Sequence, residues 1–128
     1  MKMIKKIASL LVLLVAFFAL VGCAPKDPAE ATEKLEKAEY SVVEDKIIIP
    51  GALKLAGVKG IESVLVATKA AEESTEVVTM VYFAEKEDAK NAFDEIKSYA
   101  EEKDKETSVK QSGNWVYYGT EQAVKDFE

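Results

Sequence analysis

The order of periodicities along residues 28–128 predicts an α+β domain, an antiparallel sheet with helices on one face. Three observations carry that expectation. Residues 85–103 place Ala89, Ala92, Phe93, Ile96, Tyr99 and Ala100 at three- and four-residue steps on one stripe, opposite a face of Glu, Asp and Lys, the pattern of an amphipathic helix. Residues 61–69 and 75–83 are strand-like runs joined by "AAEES", a link of the length that closes an antiparallel hairpin. Near the end, "TSVKQ" and "NWVYY" flank Ser112 and Gly113 as a second hairpin.

The remaining elements follow from local signals. Asp27 before Pro28, with Glu30 three residues on, reads as an N-cap, a proline at the first helical position and a capping-box spacing, so a helix is expected from Pro28 to about Glu39. Its apolar side is thin, Ala31, Leu35 and Ala38. From Tyr40 the stretch "YSVVEDKIII" is rich in β-branched residues and ends at Pro50 and Gly51, which predicts one kinked strand or a short hairpin around Glu44 to Lys46. "ALKLA" then gives a helix of one to two turns stopped by Gly57. After the second hairpin, Gly119 and Thr120 lead into a last short helix carrying Ala123, Val124 and Phe127. Strand, short helix, hairpin, long helix, strand is the order of a ferredoxin-like split βαβ core, here with an added N-terminal helix and a C-terminal hairpin plus helix.

The first 23 residues have a different character. "MKMIKK" is basic, and residues 7–21 are apolar apart from Ser9. As a helix that run would reach roughly 22 Å, short of the ~30 Å hydrocarbon core, which suits a signal peptide better than a permanent span. It closes on "LVGC", where Cys23 is the chain's single cysteine. These four residues, Leu20, Val21, Gly22 and Cys23, resemble the lipobox of bacterial lipoproteins, with leucine three before the cysteine, a small residue directly before it and Ala24 after it. The resemblance implies a signal peptide over 1–22, cleavage before Cys23, and a diacylglyceryl group on its sulfur as a membrane anchor. Residues 23–27 would then be a short tether and 28–128 one domain, on the extracytoplasmic side of the cell membrane. The tail "SGNWVYYGTEQAVKDF" is also similar to the ends of small uncharacterised proteins of low-GC Gram-positive bacteria and mollicutes, a resemblance that implies no activity.

Composition narrows function further. Three of the 17 basic residues lie in the leader, so the chain from Cys23 onward has 14 lysines against 23 acids, a formal charge of −9 with an acylated amino terminus. That balance argues against nucleic acid and against lying flat on anionic lipid, since both need clustered positive charge. With neither histidine nor arginine, the imidazole general base, the usual nitrogen metal ligand and the bidentate guanidinium clamp are missing. No disulfide can form within one chain.

Three constellations remain. Glu101, Glu102, Asp104 and Glu106 form an acidic cluster without the central glycine and twelfth-position glutamate of an EF-hand, which reads as a solvated helix end and not a metal site. Paired carboxylates for a hydrolase could be assembled from 23 acids in almost any fold and carry little information. Trp115 and Tyr117 share one face of a strand, a candidate ligand platform for sugar or peptide, but the expectation is that they are core beneath the long helix. The leading functional expectation is a non-enzymatic, cofactor-free binding or assembly module that docks on another envelope component. The alternatives are a small-ligand binder using the aromatic strand and, less favoured, a carboxylate-based hydrolase.

Overall fold

The structure, a computed structural model, describes residues 24–128, so the leader and Cys23, with Leu20, Val21 and Gly22, lie outside the described residues. The elements are α1 (Pro28–Lys37), β1 (Ser41–Glu44), α2 (Ile48–Leu55), β2 (Ile61–Ala70), β3 (Thr75–Phe83), α3 (Lys86–Lys103), β4 (Ser108–Ser112), β5 (Trp115–Gly119) and α4 (Glu121–Phe127). They form an α+β domain around one open five-stranded sheet of order β1-β2-β3-β5-β4, with every neighbouring pair antiparallel. The β2–β3 hairpin, register Leu65 opposite Met80, lies in the interior of the sheet as its long apolar runs require.

The helices do not share one face, a correction to the expected arrangement. Successive residues of a strand point to opposite faces, and here both faces are apolar. Leu65, Ala67, Val78, Met80, Trp115 and Tyr117 pack with Ala31 and Leu35 of α1 and Ala123, Val124 and Phe127 of α4. Val64, Val81, Phe83 and Val116 pack on the other side with Leu53 of α2 and Ala89, Ala92 and Ile96 of α3. Strands buried on both faces lose polar alternation, visible in "EVVTMVYF". The domain is therefore three-layered.

The ferredoxin-like expectation holds for one half only. Strands β3 and β4 run parallel with β5 between them and α3 as the connection, which is a split βαβ unit. β1 and β2, by contrast, are adjacent and antiparallel. The eight-residue α2 ends at Leu55, Gly57 two residues on turns the chain with a φ of 94°, and the chain re-enters the sheet at the end it left.

The stretch 45–49 is also corrected from strand to loop and helix. β1 stops at Glu44, and the Asp45 carboxylate accepts the backbone N–H groups of Ile47, Ile48 and Ile49, each at 2.9 Å. Pro50 sits in the first turn of α2, where its missing N–H costs nothing. Three β-branched residues in a row favour a strand by propensity, but the cap and the proline override it.

Gly119 sits hard against the backbone of the neighbouring strand. A Cβ there would collide with the main chain of Val77 and Val78 on β3. Gly119→Ala is expected to destabilise by at least the ~1–3 kcal/mol of an overpacked core, because backbone atoms cannot rotate away as a side chain can. Thermal melting of the variant checks this.

Candidate functional site

The short chain ahead of α1 packs on the domain. Pro25 is buried, its carbonyl accepts the Trp115 indole N–H at 2.6 Å, and the Lys26 carbonyl accepts the Tyr82 hydroxyl at 3.2 Å. Residues 24–27 are thus pinned to the end of the sheet where β3 finishes and β5 begins. The part of the expected short tether that is described, residues 24–27, is thus held against the domain.

The candidate ligand platform, Trp115 and Tyr117, is core, as expected. Trp115 is 1% exposed and Tyr117 is 2% exposed. The Trp115 ring packs edge-on against Phe127 with centroids 5.1 Å apart and against Tyr82 at 4.7 Å. Tyr117 donates its hydroxyl to Glu128 at 2.6 Å, and Tyr40 donates to Asp126 at 2.7 Å. Burial, then these carboxylates, push both phenols up, so both remain protonated donors through neutral pH. These two bonds tie α4 to the sheet and to the start of β1. The expectation of a buried Trp115 holds, but its cover is wrong: α1 and α4 lie over Trp115 and Tyr117, while α3 covers Val116 and the half-buried Tyr118 of the opposite face. Trp115 and Tyr117 therefore present no open aromatic face on this strand.

The acidic cluster is likewise a helix end. Glu101, Glu102, Asp104 and Glu106 are exposed, and Asp104 accepts the Glu106 N–H at 3.0 Å in a local turn. Among the described residues, no three acidic side chains converge as metal ligands.

The surface feature that stands out was not among the expected sites. Four large apolar side chains are exposed, Val43 (61%), Ile47 (80%), Ile48 (74%) and Leu55 (92%), and all four belong to β1, α2 and the turn between them. α2 spends Leu53 on the core, with Ile49 packed partly against it. Ile48 and Leu55, seven residues and about two turns apart, form a second apolar stripe on its outer side. A groove of about 910 Å³ runs beside this stripe between α2, the end of β1 and the start of β2, lined by residues including Glu44, Asp45, Ile47, Lys54, Lys59 and Glu62. Val43 faces the same side of the sheet as α2, because Val42 packs into the opposite core. β1 is also an edge strand with one neighbour only, so one row of its backbone groups is unpaired in the ladder.

The sequence carried a signal for this surface. Residues 46–60, "KIIIPGALKLAGVKG", hold Lys46, Lys54 and Lys59 and no acid, in a chain of net charge −6. All three lysines are exposed. The strand assignment of "KIII" hid it, since a strand would have turned alternate isoleucines inward.

Asp45 supports the surface from within. The N–H of Ile49, then those of Ile47 and Ile48, hold its carboxyl below the usual carboxylate range, against a smaller opposing effect of burial. A depressed pKa means a contribution that is complete above the unfolded-state value of about 3.9 and is lost as pH falls through the lower folded value. Asp45→Ala is expected to cost about 1 kcal/mol near neutral pH, and this difference from the parent should vanish in strong acid. Denaturant melts at both pH values check it.

The fold and site thus define a small three-layer α+β domain with an apolar, lysine-flanked surface at one sheet end. No family model, curated protein or solved structure matches the chain.

Proposed function

We propose that this protein is a membrane-anchored extracytoplasmic lipoprotein, held by a diacylglyceryl group on Cys23, and a non-enzymatic docking module that contacts another envelope component through the β1/α2 surface. The observation that carries the docking role is the grouping of Val43, Ile47, Ile48 and Leu55 in one exposed patch. Burying each such side chain is worth about 1.5–3 kcal/mol, so leaving four in water on adjacent elements is costly unless something covers them. The anchor is supported by the leader and by "LVGC" directly ahead of the pinned residues 24–27. The non-enzymatic reading is supported by the lack of histidine and arginine in the chain and by the burial of the aromatic strand.

The test is site-specific. A photoreactive residue at position 55 of the chain in living cells should give defined adducts to an envelope component. The same group at position 73, in the exposed β2–β3 turn at the opposite end of the sheet, should give none. Equal adducts from the two positions would remove the docking role from this surface.

A further inference from the structure

We propose that the occupant of the β1/α2 surface is the anionic bilayer surface beside which the chain emerges, with Ile48 and Leu55 entering the headgroup boundary and Lys46, Lys54 and Lys59 resting on acidic headgroups. This inference rests on the docking reading of the same surface and names its partner.

Position is the first argument. Pro25 and Lys26 are fixed by Trp115 and Tyr82, at the end of the sheet where Ile61 pairs with Phe83. Both ends of the α2 connection are at that same end: β1 leaves it at Glu44 and β2 enters it at Ile61. The chain outside the described residues, with its apolar run over 7–21, therefore joins the domain at the end that carries α2. Whatever in that segment is held in the membrane brings this end to the bilayer first.

Charge is the second. The chain as a whole is acidic, which argues against spreading on anionic lipid, yet residues 46–60 are locally purely cationic. Lysines around an exposed aliphatic stripe are the composition of an interfacial segment, with the aliphatic groups in the acyl boundary and the ammonium groups among phosphates. Protein interfaces are different in kind, because lysine is depleted from them. The nearest acids do not cancel this charge equally. Asp45 is engaged by three backbone N–H groups, whereas Glu44 and Glu62, which line the groove, and Asp88, whose carboxylate lies against Gly60, weaken the attraction. Attachment at the same end makes the contact intramolecular, so a surface too small to recruit a free protein suffices to orient a tethered one.

The experiment uses the intact chain recovered from membranes, with cysteine introduced as Ile48→Cys, Leu55→Cys or Glu73→Cys and labelled with an environment-sensitive fluorophore. Each is reconstituted in phosphatidylcholine vesicles with or without phosphatidylglycerol, carrying nitroxide-labelled lipid as a quencher. Tryptophan emission from the buried Trp115 confirms folding. The proposal expects quenching at positions 48 and 55, none at 73, and stronger quenching with phosphatidylglycerol. Changing Lys46, Lys54 and Lys59 to Gln should weaken the contact about fivefold per lysine where contact is incomplete. Labels at 48 and 55 that stay unquenched on vesicle-bound protein would overturn the bilayer as occupant and leave a protein partner for the docking surface. Fluorophore attached at Cys23, or chain that does not stay with vesicles, would overturn the anchored reading itself and this inference with it.

Discussion

Replacing Trp115 with alanine should remove about 3–5 kcal/mol of stability. A domain of this size has about 5–15 kcal/mol in total, so the variant is expected to melt far below the parent, by about 4–8 °C for each kcal/mol lost. The residue is the largest fully buried side chain, it contacts Phe127 and Tyr82 through its rings, and its N–H is bonded to the Pro25 carbonyl. Truncation opens a cavity between β5 and α4 and leaves that carbonyl without its donor, while residues 24–27 lose their main hold on the domain. Trp115→Phe separates the two effects. It keeps a ring against Phe127 but leaves the carbonyl unpaired, for an expected loss of about 1–3 kcal/mol. Melting curves that coincide for parent and alanine variant would contradict the packing described for this face.

Cys23→Ser should abolish lipid attachment outright. Serine cannot form the thioether to diacylglyceryl, so the variant is expected to accumulate as a precursor that retains residues 1–22 and incorporates no labelled palmitate. The effect is all-or-none because the chain has one cysteine and no second acylation site of that kind. Two acyl chains, at about 0.8 kcal/mol per buried methylene, would make the proposed anchor stable, so any variant chain that is cleaved without being acylated should leave the membrane fraction. Equal palmitate labelling of parent and variant would sink the assignment.

Much of the fold was legible because its signals are local. The stripe Ala89 to Ala100 repeats at the helical period over about three turns, and Asp27-Pro28 marks a helix start that the structure reproduces, with Asp27 accepting the Glu30 N–H at 2.8 Å. The two hairpins were read from short polar links between β-rich runs. What was not legible depends on distant partners. Nothing in "NWVYYG" says which face α3 covers, since Trp115 and Val116 are both apolar and alternate. The two faces are assigned only when α1 and α4 close over Trp115 and Tyr117.

The docking surface was missed for a different reason. The stretch 45–49 holds a conflict between the strand preference of three isoleucines and the cap offered by Asp45, which is decided by hydrogen bonds that propensity does not count. Once α2 is taken to begin at Ile48, the outer stripe of Ile48 and Leu55 and the lysines around it follow from helical geometry alone. The acid-free interval 46–60, with its three lysines, was visible in the residues without any structure.

The central claim is that this surface exists for contact and not for folding, and one measurement separates the two. The anchored chain carrying both Ile48→Asp and Leu55→Asp, with a photoreactive residue at the neighbouring exposed position 43, is compared with the chain carrying the photoreactive residue alone. Both substituted side chains are exposed, so the account predicts a melting transition within about 0.5 kcal/mol per site of the parent, unchanged membrane retention, and loss of the adducts formed from position 43. A folded, retained double variant that forms those adducts as strongly as its parent would contradict it.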